Sequence, residues 1–271
     1  MVVNGAEISY VERGAGETVV FVHGVGSDLR IWNEVAPHIA SRYRFVAYSR
    51  RHHAPNAWPD DGSSHRLAQH VEDLVAFIRA LGVVKAHVVA VSLGARVAID
   101  AALAHPEAIA TLVINDSLAG TPTSDGDRKI VQEFFRLFTP FANAVKDGDA
   151  DAAAVSLVDW LYGMTGAWNR LPPSRKAYYR DNAPTLVLAL RNDANVQRPA
   201  CPALARLPMP VLVLDGDKTP AAFRVTNDAL LACLPPNAMR ARIAEAGHFW
   251  YVENPRAGAD AILKFLSAHP L

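Results

Sequence analysis

The chain has 271 residues, 51% of them hydrophobic, and its 27 basic residues balance 27 acidic ones. This length fits one α/β core with an inserted segment, and the even charge offers no basic surface to a phosphate backbone, so we expect no nucleic-acid partner. The sequence shows neither a signal-peptide pattern nor the roughly 18 consecutive apolar residues that span a bilayer, so we expect a cytoplasmic protein with no membrane partner.

Seven short apolar segments rich in β-branched residues predict β-strands. Between residues 63 and 81, apolar residues recur every three or four positions, which predicts a helix that Ser63 or Ser64 caps and Gly82 ends. Strands that alternate with helices predict a mostly parallel sheet covered on both faces, with the functional loops at the C-terminal ends of its strands. The predicted strands are 8–11, 19–22, 45–48, 86–91, 111–115, 211–215 and 239–244.

A glycine-rich turn follows the second of these strands, where His23 and Gly24 begin the segment His-Gly-Val-Gly-Ser. Such a turn can point backbone N–H groups at one spot, and each preorganised donor can stabilise the oxyanion of acyl transfer by about 3 to 4 kcal/mol. We expect the amide of Val25 to be one donor and His23 to line a substrate pocket. A dinucleotide-binding fingerprint is excluded, because Leu29 stands where the third glycine belongs.

Ser92 follows an apolar strand and precedes a helix-like segment, with the small residues Ala90 and Gly94 two positions on either side. Small neighbours are what a sharp strand-to-helix turn needs when it carries a nucleophile in a strained backbone conformation. We expect the amide of Leu93 to be the second oxyanion donor. A structural turn with an ordinary serine would show the same local pattern, so the choice depends on segments farther along the chain.

Residues 121–199 interrupt the alternation of strands and helices. They are helix-rich and predict a cap inserted into one structural domain, whose core is formed by 1–120 and 200–271. Trp160 and Trp168 in this segment are candidates for an apolar substrate pocket, although aromatic residues at helical spacing also pack a cap onto a core.

The two cysteines, Cys201 and Cys233, have neither metal-ligand spacing nor the pattern of a disulfide framework. We therefore expect buried free thiols and no metal.

His248 lies in a loop after the last predicted strand, far downstream of Ser92. A general base that serves a serine on a strand-to-helix turn must reach it across the edge of the sheet, and a loop at this place can do so. We expect His248 to be this base and the adjacent Phe249 to line the substrate pocket.

The order of these segments resembles an α/β-hydrolase of the capped, single-domain type, an esterase-like or lactonase-like serine hydrolase. The resemblance implies an eight-stranded sheet, one strand more than predicted here, which we place near the N-terminus. It also implies serine hydrolase chemistry without a cofactor. The motifs that carry it are His23-Gly24, the turn at Ser92, the cap, Gly247-His248 and Glu253-Asn254-Pro255.

Two departures from the family pattern concern small or basic residues. Ala90 replaces the first glycine of the nucleophile turn and is still small. The family's frequent Asp-x-Arg-Gly is replaced by Ser-Arg-Arg-His-His at 49–53. We expect His52 and His53 at the surface, with the entrance of the site as the alternative.

The acid of the triad is the third departure. The family usually places an aspartate three positions after the glycine that ends the acid strand, and here this position is Thr219, which carries no charge. Asp217 fits if the loop is shortened by two residues. Asp116, at the end of the preceding strand, fits a position that some relatives use, and we favour it over Asp217 as the group that orients the imidazole. Each aspartate also fits a simple loop or helix cap.

These expectations describe hydrolysis of a carboxylic ester, lactone or thioester of a small to medium, partly apolar molecule through an acyl-enzyme on Ser92. A serine nucleophile disfavours epoxide hydrolases and haloalkane dehalogenases, which resemble this fold but need an aspartate. Three alternatives stay open: a carbon–carbon bond hydrolase, a small-molecule receptor that retains the triad, and a secondary-metabolism enzyme that uses His248 as a base without acylation. We expect a small-molecule substrate and a monomer or homodimer.

Overall fold

The computed structural model describes residues 1–193 and 197–271, and within them nine strands form two sheets. Seven strands make the central sheet in the order β3-β5-β4-β6-β7-β8-β9. The strands are β1 Val2–Val3, β2 Ala6–Glu7, β3 Tyr10–Arg13, β4 Thr18–Val22, β5 Arg44–Tyr48, β6 Ala86–Val91, β7 Ile109–Asn115, β8 Val211–Gly216 and β9 Met239–Ile243.

The central sheet is parallel except for the pair of β3 and β5 at one edge. Along β4, Val19 and Phe21 join one buried cluster, while Val20 and Val22 join the other. Alternate side chains of a strand point to opposite faces, so both faces of the sheet are covered. The predicted mostly parallel sheet, covered on both faces, is confirmed.

The expectation of eight strands in this sheet is wrong. The N-terminal segment pairs with itself instead: Val2 faces Glu7 and Val3 faces Ala6 in a separate antiparallel hairpin. Its turn consists of Asn4 and Gly5, both with positive φ (46° and 76°). Asn-Gly in this conformation is the two-residue turn that a tight hairpin prefers, which explains why the segment folds back before it reaches the sheet.

Twelve α-helices lie in the described ranges. They are α1 Ala36–Ala40, α2 Leu67–Ala80, α3 Leu93–Ala104, α4 Asp125–Arg136, α5 Thr139–Lys146, α6 Ala150–Leu161, α7 Ala167–Arg170, α8 Pro173–Asp193, α9 Cys201–Leu204, α10 Ala221–Cys233, α11 Trp250–Glu253 and α12 Pro255–Ser267. Short 3₁₀ helices occupy Leu29–Trp32 and Pro106–Ala108. None of the described helices is long and apolar enough to cross a membrane.

The helix predicted between 63 and 81 corresponds to α2, which begins at Leu67. The expected cap by Ser63 or Ser64 is wrong, because Arg66 precedes the first turn and makes no side-chain cap hydrogen bond. Ser64 Oγ donates instead to Asp60. Gly82 has a φ of +78° just after the helix, as a left-handed C-terminal cap requires.

The helices α4 to α8 lie between β7 and β8 in chain order, within the segment expected to form a cap. Asn182 on α8 ties this segment to the rest of the molecule: its Nδ2 donates to Asp28 Oδ2 at 2.6 Å, and its Oδ1 accepts from the backbone N–H of Ala54 at 2.8 Å. The division of the chain into core and cap at 121 and 199 stays a prediction.

The cysteines are joined, and the expectation of buried free thiols is wrong. Cys201 on α9 and Cys233 on α10 form a disulfide across a Cα–Cα distance of 4.9 Å. Cys201 is exposed and Cys233 is half-buried. Disulfides persist mainly in oxidising compartments, so this bond does not support the cytoplasmic location, which stays a prediction.

Candidate active site

Ser92 occupies a strained turn between β6 and α3. Its φ of 57° and ψ of −124° lie in a region that side-chain-bearing residues rarely adopt. Its backbone N–H donates to the carbonyl of Asn115 on the neighbouring strand at 2.8 Å. A Cβ at Gly94 would lie 2.3 Å from the carbonyl oxygen of His23, so only glycine fits there, a stricter demand than the small residue that the sequence predicted.

The loop after β4 packs directly on this turn and brings two backbone donors to one cavity. A Cβ at Gly24 would lie 3.1 Å from Ser92 Cβ, and Val25, Ser92 and Leu93 line the same cavity. Leu93 is the first residue of α3, where the N–H has no intrahelical acceptor. Within the described residues the N–H of Val25 also donates no hydrogen bond. Both donors can therefore serve a developing oxyanion, which stays a prediction of their role.

His248 and Asp116 form a buried hydrogen-bonded pair. Nδ1 of His248 lies 2.9 Å from Oδ2 of Asp116, and the two residues are 3% and 0% exposed. A carboxylate only accepts, so Nδ1–H donates to it and Nε2 is left as the acceptor. Asp116 follows β7 with a φ of 48°.

Two residues of α10, neither of them predicted from the sequence, contact this pair. Asn227 Nδ2 donates to the other carboxylate oxygen of Asp116 at 2.8 Å. The ring of Phe223 stacks on the imidazole of His248 with centroids 4.5 Å apart and an interplanar angle of 13°. Both lie in a different segment of the chain from Asp116 and His248, and no sequence motif around them predicts a contact with either residue.

Asp217 has a different place, and the alternative that made it the triad acid is wrong for this structure. The backbone N–H groups of Glu245 and Ala246 donate to its two carboxylate oxygens at 3.1 and 3.2 Å. The described residues include no hydrogen bond between Asp217 and His248. Asp217 therefore orders the turn that leads to the histidine loop. Glu253 supports the same loop, accepting from the N–H of Gly247 at 2.7 Å.

Ser92 and His248 lie at the same edge of the sheet without a hydrogen bond between them in the described structure. Val91 and Asn115 are paired neighbours, so Ser92 and Asp116 follow adjacent strand ends and line the same cavity. His248 contacts Asp116 from the loop after β9 and lines a second cavity. Direct contact between the serine hydroxyl and the imidazole stays a prediction.

The cavity above Ser92 has a volume of about 300 Å³ and a mostly apolar wall. Its aromatic residues come from α4, α5, α6 and the turn between α4 and α5. Two arginines that the sequence did not predict, Arg96 and Arg198, also line it. The lining residues are Val25, Ser92, Leu93, Arg96, Asp116, Ser117, Leu118, Phe135, Phe138, Phe141, Leu157, Trp160, Ala189 and Arg198.

Of the four pocket candidates, the structure places only Trp160 in this cavity. Phe249 lines the second cavity beside His248 and packs on Tyr162. Trp168 lies outside both cavities and packs against Tyr179, so its expected place was wrong. His23 is completely buried beneath the loop and lines neither cavity, because both of its ring nitrogens are occupied by backbone groups.

His23 belongs to a cluster of buried histidines. Its Nδ1 lies 2.8 Å from the carbonyl of Gly24, and its Nε2 accepts from the N–H of Arg50 at 2.8 Å. Arg50 also donates to the carbonyls of His23 and Gly24. These contacts fix the start of the loop that carries Val25.

The buried histidine cluster, defined as His23, His53, His65 and His70, continues away from this loop. Ring centroids are 4.7 Å apart for His23 and His53, 5.4 Å for His53 and His65, and 4.7 Å for His65 and His70. His52 lies beside His65 and pairs with Asp60. No group of described residues in the chain is arranged to hold a metal ion.

The surface positions expected for His52 and His53 are wrong, since both are 1% exposed. Burial, with a smaller effect of the Arg50 charge, lowers the pKa of His23, His53 and His70 well below the ordinary value. The same causes lower the pKa of His65 to about 3. The cluster is therefore neutral at pH 7.

Comparison with known proteins gives one family and several distant relatives. The family model for the alpha/beta hydrolase fold matches residues 17–255. The uncharacterised hydrolase YraK of Bacillus subtilis is 30% identical over 116 residues, which span 43% of this chain and 43% of that protein. The 2-hydroxy-6-oxo-6-(2'-aminophenyl)hexa-2,4-dienoic acid hydrolase of Metapseudomonas resinovorans is 24% identical, covering 97% of this chain and 88% of that protein.

Among solved structures, the enol-lactonase of Burkholderia xenovorans LB400 superposes with a TM-score of 0.78 at 19% identity and 98% coverage of both chains. At this identity the likeness shows a shared fold.

The buried histidine cluster predicts loss of stability in mild acid. The folded-state pKa values are lowered, so below pH ~6.5 the unfolded chain binds more protons than the folded one. The free energy of unfolding should be constant above pH ~6.5 and fall as the pH drops towards 3, by roughly 1.4 kcal/mol per pH unit for each histidine.

Urea unfolding at pH 7.5 and pH 5.0 measures this slope. His70→Gln should reduce the slope, whereas His38→Gln, at a half-buried histidine outside the cluster, should leave it as in the parent. An identical slope in His70→Gln and the parent would contradict the argument.

Proposed function

The chain belongs to the alpha/beta hydrolase fold family, and we propose that it cleaves a carboxylic ester, lactone or thioester of a small to medium, partly apolar molecule. The observation that carries the proposal is the buried 2.9 Å hydrogen bond between His248 and Asp116 at the edge of the sheet where Ser92 occupies its strained turn. Serine, imidazole and carboxylate at one sheet edge are the groups that acyl transfer through a covalent intermediate needs.

In the proposed reaction, Ser92 Oγ attacks the carbonyl carbon while Nε2 of His248 takes the hydroxyl proton. Asp116 accepts from Nδ1–H and stabilises the imidazolium that forms. The amides of Val25 and Leu93 would donate to the oxyanion of the tetrahedral intermediate. The imidazolium then protonates the leaving group, and the same histidine activates water to release the acyl group.

This reaction requires the hydroxyl of Ser92 and Nε2 of His248 to come within hydrogen-bond distance. Catalytic hydrogen bonds are often long or misaligned without substrate and tighten in the complex. Asp116 and Phe223 already fix the plane of the imidazole, so the adjustment falls to the Ser92 side chain or to the loop around His248.

Carbon–carbon bond hydrolysis is the second candidate. The Metapseudomonas resinovorans relative is named as a hydrolase of an oxo-dienoic acid. That compound contains a ketone and a carboxylic acid but no ester. The same serine and histidine could act on a ketone carbonyl. A panel that includes both esters and such ketones separates the two chemistries.

Replacement of Ser92 by alanine tests the nucleophile. The parent should hydrolyse p-nitrophenyl butyrate and react with a fluorophosphonate probe, whereas Ser92→Ala should lose labelling and at least about 1,000-fold in kcat/KM, because no acyl-enzyme can form. Ser41→Ala, at an exposed serine, is the control.

The other outcomes separate the remaining alternatives. Activity that survives Ser92→Ala would indicate that His248 acts as a base without acylation. A parent protein that is neither labelled nor active, yet binds small molecules, would indicate a receptor.

Replacement of the two aspartates tests the acid. Asp116→Asn should lower kcat at least ~100-fold, because the imidazolium loses its charged partner. Asp217→Asn should lower kcat much less, because its carboxylate contacts only the turn at Glu245 and Ala246. Steady-state kinetics with p-nitrophenyl butyrate measures both, and the opposite ranking would refute the assignment.

Asn227 is proposed as a positioning residue for the acid. Asn227→Leu removes the donor to Asp116 and should lower kcat by about 10-fold with little change in KM, because one lost hydrogen bond to a charged group amounts to roughly 1.5 kcal/mol. Thr226→Val, which changes a neighbouring buried residue bonded only within α10, should retain the parent kcat. Equal losses in both variants would indicate a general packing defect.

A further inference from the structure

Two arginines, Arg96 and Arg198, line the cavity above Ser92. Their side chains are charged, whereas most of the wall is aromatic or aliphatic. Arg96 lies on α3, one helical turn after Ser92, and its N–H donates to the carbonyl of Ser92. Arg198 comes from the segment that leads from α8 back to α9. The two charges therefore reach the cavity from different parts of the chain.

The charge of Arg96 is already paired. Its Nε lies 2.9 and 3.0 Å from the two carboxylate oxygens of Asp100, and its Nη2 donates to the carbonyl of Gln197. Arg96 thus anchors the residue next to Arg198. It adds little net charge to the cavity because Asp100 balances it.

Arg198 has no such balance. Its Nη1 donates to the carbonyl of Gly120 at 3.2 Å, and it forms no ion pair with any side chain that the structure describes. The side chain is half-buried, and burial together with the charge of Arg96 lowers its pKa. A partly buried guanidinium without an anion is unfavourable, and an anionic group in the cavity would offset this cost.

The other ionisable group on the wall is Asp116, whose two oxygens are engaged by His248 and Asn227. Asp116 therefore offers no free oxygen to Arg198, and the guanidinium of Arg198 stands without an ion-pair partner among the described side chains, beside a largely apolar wall. Phe135, Phe138 and Trp160 belong to that wall. This combination fits a ligand with one negative charge and an apolar chain.

We infer that the substrate carries a carboxylate, which binds Arg198 while its apolar chain contacts the aromatic wall and its scissile carbonyl reaches Ser92. A planar guanidinium matches the two oxygens of a carboxylate. A single unpaired cation suits a monoanion better than a doubly charged phosphate monoester. This inference rests on the proposed function, since it names the acid part of the ester, lactone or thioester.

A matched pair of esters tests the inference. The anionic substrate is the p-nitrophenyl monoester of adipic acid, and the neutral substrate is the same compound with its free carboxyl methylated. Shorter diacid monoesters close to cyclic anhydrides without enzyme and are unsuitable. In the parent, kcat/KM for the anionic ester should exceed that for the neutral ester by at least about 10-fold, the size of one charge-assisted hydrogen bond.

The decisive variant is Arg198→Gln, which removes the charge and retains a side-chain donor for the carbonyl of Gly120. It should abolish the preference for the anionic ester and leave the neutral ester within about 2-fold of the parent. Arg198→Lys should retain part of the preference, and Arg206→Gln, which removes an exposed positive charge, should retain all of it. Equal losses on both esters in Arg198→Gln would show a structural role and overturn the inference.

A binding experiment separates this inference from the proposed function. In the Ser92→Ala background, calorimetry should show monomethyl adipate binding at least about 10-fold more tightly than dimethyl adipate, and added Arg198→Gln should remove the difference. That result supports the carboxylate site even if the parent hydrolyses no ester. Equal binding of the two probes would overturn the site, whether or not the parent is a hydrolase.

Discussion

The contact between the Ser92 turn and the loop after β4 is the constraint on which the candidate site depends. The turn holds a positive φ at Ser92, and such strain persists only where the surroundings enforce it. Gly94 lets the backbone of His23 approach within a distance that no side chain would allow. The same close approach brings Val25 and Leu93 to the wall of one cavity, beside Ser92.

Arg50 and the buried histidine cluster also hold the loop after β4 in place. Arg50 donates to the carbonyls of His23 and Gly24, and the neutral histidine cluster packs around it. A buried charge is costly unless it is hydrogen-bonded, and here the backbone of the loop supplies two acceptors. His23 therefore belongs both to the buried histidine cluster and to the contacts that hold the start of the loop that carries Val25.

The loops at one edge of the sheet make different contacts around the candidate site. Asp116 follows β7 and contacts His248, whereas Asp217 follows β8 and orders the turn before that histidine. Arg198 arrives from the helical segment between these two strands and is held by Gly120, just beyond Asp116. The proposed selectivity for a carboxylate thus depends on the segment that also lines the cavity above Ser92.

The sequence by itself determined the parallel sheet, the turn at Ser92 and the loop of His248, because strand periodicity and the steric demand for small residues act over a few positions. It could not determine which of Asp116 and Asp217 faces the imidazole, since both follow strands and look alike locally. Nor could it show that His52 and His53 are buried, that Cys201 and Cys233 are joined, or that Arg198 faces the cavity. The bond between Asp116 and His248 joins residues 132 positions apart, and only the order of strands and the path of their loops decide such contacts.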